Sequence, residues 1–192
     1  MPTITVVIPH RMIEDTSITD ASLKKQTFQD LAVIRVPDQG NGANWARNEG
    51  YKQVTTEFVI FSDNDITWMP NAFEKMLSTL RATSASFCWG RYKIGDSVWC
   101  DQHWNPQELK RHNYISTMAL CRTADLPNPP FDEAIKRFQD WDLWLTMLKN
   151  GKRGVYCNDL TFTTEVRPGI THGGELAAEQ WYNIVKKKHG IT

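Results

Sequence analysis

The chain has 192 residues, enough for one well-filled domain and too few for two full ones. Its 22 lysines and arginines balance 22 aspartates and glutamates, so the formal net charge is zero. This balance gives no reason to propose nucleic acid or an acidic membrane as a partner. The sequence contains no signal peptide and no apolar run long enough for a transmembrane helix, so we expect a cytoplasmic protein.

The first half of the chain alternates the patterns of short buried strands and helices. Apolar, β-branched runs predict strands over residues 3–8, 31–36 and 57–61. Helices are predicted over residues 16–27, around Trp45 and Tyr51, and from about 70 to 81. Strands that alternate with helices form a mostly parallel sheet, and right-handed crossovers place helices on both of its faces. The sequence therefore predicts an α/β fold.

The second half is less regular. Strands are predicted over residues 85–92, 114–121, 154–157 and 160–164, and helices over residues 140–150 and 175–189. Residues 93–113 form a polar insert that contains tryptophans. We interpret Lys186, Lys187 and Lys188 as a solvated helix end, because cations there complement the helix dipole; a membrane-surface patch is the alternative.

Polar clusters follow each of the first three predicted strands. They are Pro9-His10-Arg11, Asp38 and Asp63-Asn64-Asp65. Ligands of parallel sheets bind beyond the carboxyl ends of the strands, so a nucleotide lying there would contact all three clusters. Gly40-x-Gly42 follows the second strand and lacks a third glycine, which argues against a nicotinamide-dependent dehydrogenase.

Asp63 and Asp65 are the strongest local signal. Two carboxylates separated by one residue, at the end of a buried strand, can hold Mg²⁺ or Mn²⁺ against a diphosphate. The alternative is a solvated turn, since Asp and Asn favour turns. The strand before them favours the metal site.

Two further patterns leave alternatives open. Asp140 stands where a helix is predicted to begin, so the residues alone favour a helix cap over a general base. Cys100-x-x-His103, with His112 further on, could bind zinc, but a second close pair of ligands is missing.

Five segments resemble glycosyltransferase family 2, and they occur in the order of that family between residue 3 and about residue 165. They are residues 6–9, residues 22–31, Ala46-Arg47-Asn48-Glu49-Gly50, the Asp-x-Asp motif at residues 61–65, and the acidic motif Gln139-Asp140-Trp141-Asp142-Leu143-Trp144. The sequence departs from the family pattern at Pro37-Asp38-Gln39-Gly40, where an acidic pair and a serine are usual. Gln139 also replaces a common glutamate.

The resemblance implies a GT-A fold, with a Rossmann-like, mostly parallel central sheet, helices on both faces and a smaller acceptor-side region. It implies one domain over residues 1–192, in which about 1–90 bind the nucleotide sugar and about 91–192 form the acceptor side. The implied reaction is inverting, metal-assisted transfer from a nucleotide diphosphate sugar, with a UDP-sugar expected, to a glycan or other hydroxyl acceptor. Mn²⁺ or Mg²⁺ is the implied cofactor.

The resemblance also implies roles for individual residues. The expected base is Asp140. The expected donor-binding residues are Pro9, His10, Arg11, Asp38, Arg47, Asp63, Asn64 and Asp65. The expected metal ligands are Asp65 and Asp63, with His172 a further candidate, and Arg167 is a candidate for phosphate. The expected acceptor-binding residues are Trp99, Trp104 and Trp141. Trp99 and Trp104 lie in the polar insert with Arg111 and His112, and there the expectation comes from the residues themselves, because aromatic faces suit sugar rings. Alternatively, these residues of the insert cover one edge of the sheet.

Two other functions compete with glycosyl transfer. A nucleotidyltransferase shares carboxylates at strand ends but needs a basic, glycine-rich triphosphate loop, and no lysine-bearing loop of that kind follows the first strand. A non-catalytic sugar- or nucleotide-binding module of the same fold would not need Asp63, Asp65 and Asp140, so their presence argues against it.

Overall fold

The computed structural model of the chain describes residues 2–11, 17–165 and 177–191. The strands are β1 (Ile4–His10), β2 (Leu31–Pro37), β3 (Phe58–Phe61), β4 (Ile66–Trp68), β5 (Phe87–Ile94), β6 (Ser97–Trp99), β7 (Leu120–Arg122) and β8 (Gly154–Thr164). The α-helices are α1 (Ser17–Lys24), α2 (Ala43–Tyr51), α3 (Ala72–Arg81), α4 (Pro106–Arg111), α5 (Gln139–Lys149) and α6 (Ala178–Lys188). A single 3₁₀ turn, Thr123–Asp125, follows β7.

All of these strands belong to one sheet, in the order β2-β1-β3-β7-β5-β8-β4, with β6 paired to β5. β1 lies between β2 and β3 and is parallel to both. β7 is antiparallel to β3 and β5, and β8 is parallel to β5. Thus β1, β2, β3, β5 and β8 run in one direction, which confirms the mostly parallel α/β sheet.

Helices cover both faces of the sheet, as predicted. Along β1, Val6 and Ile8 belong to one apolar core and Val7 to the other, because alternate side chains of a strand point to opposite faces. The core around Val7 includes Trp141 and Trp144 of α5, and the opposite core includes residues of α1 and α3. None of the helices in the described ranges is long and apolar enough to cross a membrane.

The second half departs from the predicted elements. The strand predicted over residues 114–121 is only Leu120–Arg122, and the predicted polar insert contains β6 and α4. The strands predicted over residues 154–157 and 160–164 are one strand, β8, whose pairing with β5 shifts register near Asn158, a residue with a φ of 54°. β4 and β6 have three residues each, which is too short for a periodic pattern; pairing with their neighbours defines them.

Gly50 allows α2 to lie close to the sheet. A Cβ added at this position would clash with Cγ1 of Val7 on β1 and would lie 3.2 Å from Cγ2 of Val36 on β2. Both valines are buried, so neither can move away without disturbing the core. Glycine inside a helix normally costs stability, and here the close approach of helix and sheet requires it.

We predict that Gly50→Ala destabilises the fold by about 1–3 kcal/mol, because overpacking outweighs the gain of about 1 kcal/mol in helix propensity. Urea unfolding would measure the change. In the matched control, Val7→Ala removes the clashing methyl groups, so the loss for Gly50→Ala in that background should be clearly smaller. Equal losses in both backgrounds would show that Val7 does not restrict α2.

Candidate active site

The carboxyl ends of β1, β2 and β3 meet at one edge of the sheet and bring the first predicted cluster together. The backbone N–H of Asp38 donates to the carbonyl oxygen of His10 at 2.8 Å, which joins the segments after β1 and β2. The Asp38 carboxylate is half-buried and accepts from the N–H of Gly40 at 3.1 Å. Pro9, His10 and Arg11 therefore lie beside Asp38, as the strand pattern predicts.

The segment Asp63-Asn64-Asp65 forms the turn between β3 and β4 at the same edge. Thr19 of α1, which is fully buried, fixes this turn: its hydroxyl donates to the carbonyl of Ile66 at 2.9 Å and accepts from the N–H of Ile66 at 3.2 Å. Asp65 lies at the wall of a pocket of about 230 Å³, which is also lined by Ile18, Thr67, Gly95, Thr163, Thr164 and Glu165. Thr19 therefore fixes the end of this turn, and Asp65 lies next to a cavity.

A buried arginine lies behind this turn. Arg47 of α2 is only 3% exposed, and its Nη2 donates to Oδ1 of Asp63 at 2.7 Å. Its Nη1 donates to Oδ1 of Asn44 at 3.2 Å, and its guanidinium lies 5.4 Å from the ring centre of Phe131. The side chain of Arg47 is therefore covered by protein and faces Asp63, an environment that does not favour the direct donor contact expected of it.

The same face of α2 holds the segment that leads into α5. The Nδ2 of Asn44 donates to the carbonyls of Asp132 at 3.0 Å and Ile135 at 2.7 Å. Asn48 exchanges two hydrogen bonds with the backbone of Phe131, at 2.9 and 3.1 Å. One helix thus fixes both the Asp63 carboxylate and the approach to the helix that carries Asp140.

Asp140 lies in the first turn of α5 and does not cap it. The cap position belongs to Phe138, which adopts a left-handed conformation with a φ of 59°. The carboxylate of Asp140 accepts from the N–H of Trp141, the next residue, at 2.9 Å. The prediction of a helix that begins with an Asp140 cap is therefore wrong, and capping does not account for this carboxylate.

The surroundings of Asp140 change its acidity. Burial raises the pKa of its carboxyl above the ordinary value. The Trp141 N–H, the Asn113 side chain and then the Arg47 charge oppose that shift without cancelling it. A carboxylate with a raised pKa accepts a proton more readily than a solvent-exposed one, which suits a general base.

Tyr92 and Cys100 also lie near this carboxylate, and the sequence pattern does not identify them. Burial raises the pKa of Tyr92, and the charges of Cys100, Asp140 and Asp63 raise it further. Tyr92 therefore lies within electrostatic reach of both the donor-side and the base-side carboxylates. Its ring stacks on Phe162 at 4.6 Å, and its register partner on β6 is Trp99. Only the folded sheet brings these residues together.

The three tryptophans expected to bind the acceptor have different environments. Trp99 is 52% exposed at the end of β6. Trp104 is half-buried and packs edge-on against Phe87, with ring centres 5.6 Å apart. Trp141 is fully buried, donates to the carbonyl of Leu109 at 2.6 Å, and so presents no face to an acceptor. The acceptor role predicted for Trp141 is wrong, because its ring belongs to the core.

The opposite side of α5 is held by a second buried carboxylate. Asp142 is 3% exposed, and its two oxygens lie 2.8 Å from Nζ of Lys188 and 2.8 Å from Nε2 of His189. Lys188 also donates to Asp132 at 2.8 Å. The sequence predicts a solvated helix end at Lys186, Lys187 and Lys188. Lys188 instead makes a contact within the fold, because its ion pair with Asp142 connects α6 to α5.

The candidate metal ligands are only partly within the described ranges. His172 and Arg167 lie outside the described residues. Among the described residues, no group of three or more His, Cys, Asp or Glu side chains is placed to hold an ion, including the predicted zinc candidates. Mg²⁺ is commonly bound by one or two carboxylates together with substrate phosphates, and Mn²⁺ also prefers oxygen ligands. Asp63 and Asp65 supply carboxylate oxygens of the kind that such an ion prefers.

Comparison with solved structures identifies the fold. A structure of S. aureus TarS in complex with UDP-GlcNAc is similar over 95% of this chain and 64% of that one, with a TM-score of 0.72 and 18% identity. The mannosyltransferase PcManGT from Pyrobaculum calidifontis, in complex with GDP-Man and Mn²⁺, is similar over 98% of this chain and 61% of that one, with a TM-score of 0.66 and 13% identity. These similarities confirm the GT-A fold of glycosyltransferases.

The sequence profile named Glycosyl transferase family 2 matches residues 12–143, more than half of the chain. The chain therefore belongs to glycosyl transferase family 2, which confirms the predicted family and class of enzyme. It spans from 37% to 65% of the length of the TarS chains that it resembles. No match was found among curated protein sequences.

The raised pKa of Asp140 predicts a pH-dependent stability. The folded state disfavours the ionised carboxylate, so wild-type stability should fall relative to Asp140→Asn as the pH rises from the pKa of the unfolded chain, about 3.9, through the higher pKa of the folded chain. The variant should be the more stable protein at pH 8, and the difference should shrink towards pH 4. Urea unfolding at both pH values measures it.

Asp142→Asn is the matched control on the same helix. Its free energy of unfolding should fall by about 2 kcal/mol, because the hydrogen bonds of the Asp142 carboxylate to Lys188 and His189 are weakened or lost. An Asp140→Asn variant that loses stability to a similar extent would contradict the assignment of a destabilised carboxylate.

Proposed function

We propose that the chain transfers a sugar from a nucleotide diphosphate sugar to an acceptor hydroxyl with inversion at the anomeric carbon. The observation that carries the proposal is the position of Asp140. A partly buried carboxylate of raised pKa lies in the first turn of α5, and Arg47 lies within electrostatic reach of it while contacting Asp63. Family membership supports the reaction class.

The proposed donor site follows the carboxyl ends of β1, β2 and β3. Pro9, His10, Arg11 and Asp38 line the side where the nucleotide would lie, and Asp63, Asn64 and Asp65 lie beyond β3, where the diphosphate would be held. The structural neighbours are in complex with UDP-GlcNAc and GDP-Man, which supports a nucleotide sugar as donor. We propose a UDP-sugar.

The proposed cofactor is Mn²⁺ or Mg²⁺, held by Asp65 with Asp63 beside it. A divalent ion bound there would neutralise negative charge on the diphosphate. The Mn²⁺ in the PcManGT complex supports this assignment. The chain's own contribution is to hold the two carboxylates in a fixed turn, through Thr19 and Arg47.

The proposed base is Asp140. Inverting transfer needs one group that takes a proton from the acceptor hydroxyl as its oxygen attacks the anomeric carbon opposite the leaving group. The Trp141 N–H holds one oxygen of the carboxylate at 2.9 Å, which fixes its orientation. The raised pKa strengthens it as a proton acceptor.

The proposed acceptor surface includes Trp99. Trp99 is 52% exposed and pairs across the β5–β6 ladder with Tyr92, whose pKa is raised by the charges of both Asp140 and Asp63. Aromatic faces pack against the apolar faces of sugar rings, and the indole N–H offers a hydrogen bond. Trp104 contributes less, because much of its surface packs on Phe87 and Trp89.

We predict that Asp140→Asn binds the donor normally and that its rate of sugar transfer falls by a factor of about 10² or more, since a general base contributes on that order. Incubation with a panel of nucleotide sugars and Mn²⁺, followed by detection of released nucleotide and product, measures it. Asp142→Asn controls for damage to α5. Wild-type-like transfer by Asp140→Asn would contradict the base assignment.

We predict that a nucleoside diphosphate raises the melting temperature much more with Mn²⁺ than with EDTA, because bound ligand stabilises the folded state by mass action. Asp65→Asn should abolish the difference, and Asp96→Asn, a charge change on the β5–β6 turn, should keep it. An equal rise in melting temperature with Mn²⁺ and with EDTA would contradict the proposed metal ion.

We predict that Trp99→Ala raises the acceptor KM while donor hydrolysis stays close to wild type and the unfolding free energy changes by less than about 0.5 kcal/mol. Trp104→Ala should instead lose about 2 kcal/mol or more, as removal of packed aromatic side chains does. Unfolding and two-substrate kinetics distinguish the two. Unchanged acceptor kinetics for Trp99→Ala would exclude this surface.

A further inference from the structure

The guanidinium of Arg47 is a charge removed from water. The residue is 3% exposed, and two of its three nitrogens are used on Asp63 and Asn44. Its Nε is buried and has no hydrogen-bond partner within the described part of the chain. A buried cation is tolerated only when an anion and hydrogen bonds compensate for its lost hydration, and Asp63 is the carboxylate that pairs with it in the described part of the chain.

Asp63 has the opposite exposure. Its side chain is 38% exposed, so one side of the carboxylate is held by Arg47 and the rest remains accessible. One N–H of the guanidinium, itself held in place by the hydrogen bond to Asn44, donates to Oδ1 of Asp63, and such charge-assisted hydrogen bonds are stronger than neutral ones. The buried arginine therefore restrains the orientation of the exposed carboxylate.

We propose that Arg47 is a positioning residue: it never touches the donor, and it acts by orienting Asp63 towards the nucleotide diphosphate and its metal ion. The inference rests on the proposed function and goes beyond it, because it replaces a donor contact with an indirect role. Asn44 supports it, since its side-chain oxygen accepts from Arg47 while its Nδ2 is fixed on the carbonyls of Asp132 and Ile135.

Arg47 also couples the two ends of the site. Its charge lowers the pKa of Asp140 and so opposes the effect of burial on that group. Loss of the charge should therefore raise the pKa of Asp140 and move the acidic limb of the transfer rate to higher pH. A residue with a purely structural role would not move that limb.

A double-mutant cycle tests the role of Arg47. UDP binding in the presence of Mn²⁺ is measured by calorimetry for the wild type, Arg47→Met, Asp63→Asn and the double variant. We expect Arg47→Met to weaken UDP binding about ten-fold in the wild-type background and less than two-fold in the Asp63→Asn background, because its effect passes through Asp63. Arg35→Met, which removes a surface pair with Asp20, is the matched control and should bind UDP normally.

The other outcomes separate the possible failures. Equal losses in both backgrounds would show that Arg47 contacts the nucleotide directly, and no loss in either would show that it does not position Asp63; each overturns the inference. Arg47→Lys keeps the positive charge but cannot bond Asp63 and Asn44 with the same geometry, so it should bind UDP with intermediate affinity and keep the wild-type acidic limb of the transfer rate. It replaces Arg47→Met in the cycle if Arg47→Met does not fold. A wild-type chain that binds neither UDP nor GDP with Mn²⁺ would overturn the proposed function itself.

Discussion

A guanidinium excluded from water needs an anion beside it, and the pair that Arg47 forms with Asp63 sets the arrangement of this site. The arginine lies in the core and the aspartate lies at the surface, 2.7 Å apart. Breaking such a pair by removing one partner is costly, because it leaves an uncompensated charge in the interior. The contact therefore determines where the accessible carboxylate points.

The rest of the fold serves to place that contact. β1 lies between two parallel neighbours, so the ends of three strands meet at one edge. Gly50 lets α2 approach β1 closely, and the polar face of α2 then reaches Asp63 in one direction and Phe131 in the other. Because a packed core resists displacement, the distance between the donor side and the base helix is set by the backbone of α2.

The two carboxylates in the first turn of α5 have opposite electrostatic surroundings. Asp142 is buried between Lys188 and His189 and fixes the helix to α6. Asp140 lies two residues earlier and has no such cation in contact among the described residues; burial dominates and raises its pKa. The first arrangement favours stability and the second favours proton transfer, which is the usual conflict between a stable site and a reactive one.

Parts of this arrangement are readable from the sequence. Apolar runs that end at Pro9, Pro37 and Asp63 predict the parallel strands and the edge where ligands bind, since burial and turn chemistry act locally. The motif around Asp140 indicates its place on a helix. The burial of Trp141 is not predictable, because an aromatic residue beside an acidic one suits a core and a binding surface equally well.

Other parts depend on tertiary packing alone. Arg47 stands in a helix with polar neighbours, and nothing local shows that its side chain turns into the core towards Asp63. Tyr92 and Trp99 become neighbours only when β6 folds back on β5. Short elements such as α4 carry too few residues for a periodic pattern, so pairing and packing with distant segments define them.

The stereochemistry of the transferred sugar tests the central proposal most directly. With a nucleotide sugar of known anomeric configuration, proton NMR of the transfer product reports the configuration at the new glycosidic bond. The arrangement of Asp140 and the Asp63–Asp65 turn predicts the opposite configuration to the donor, because the acceptor attacks from the side away from the diphosphate. A product with the donor's configuration would contradict the assignment of Asp140 as the base of an inverting transfer.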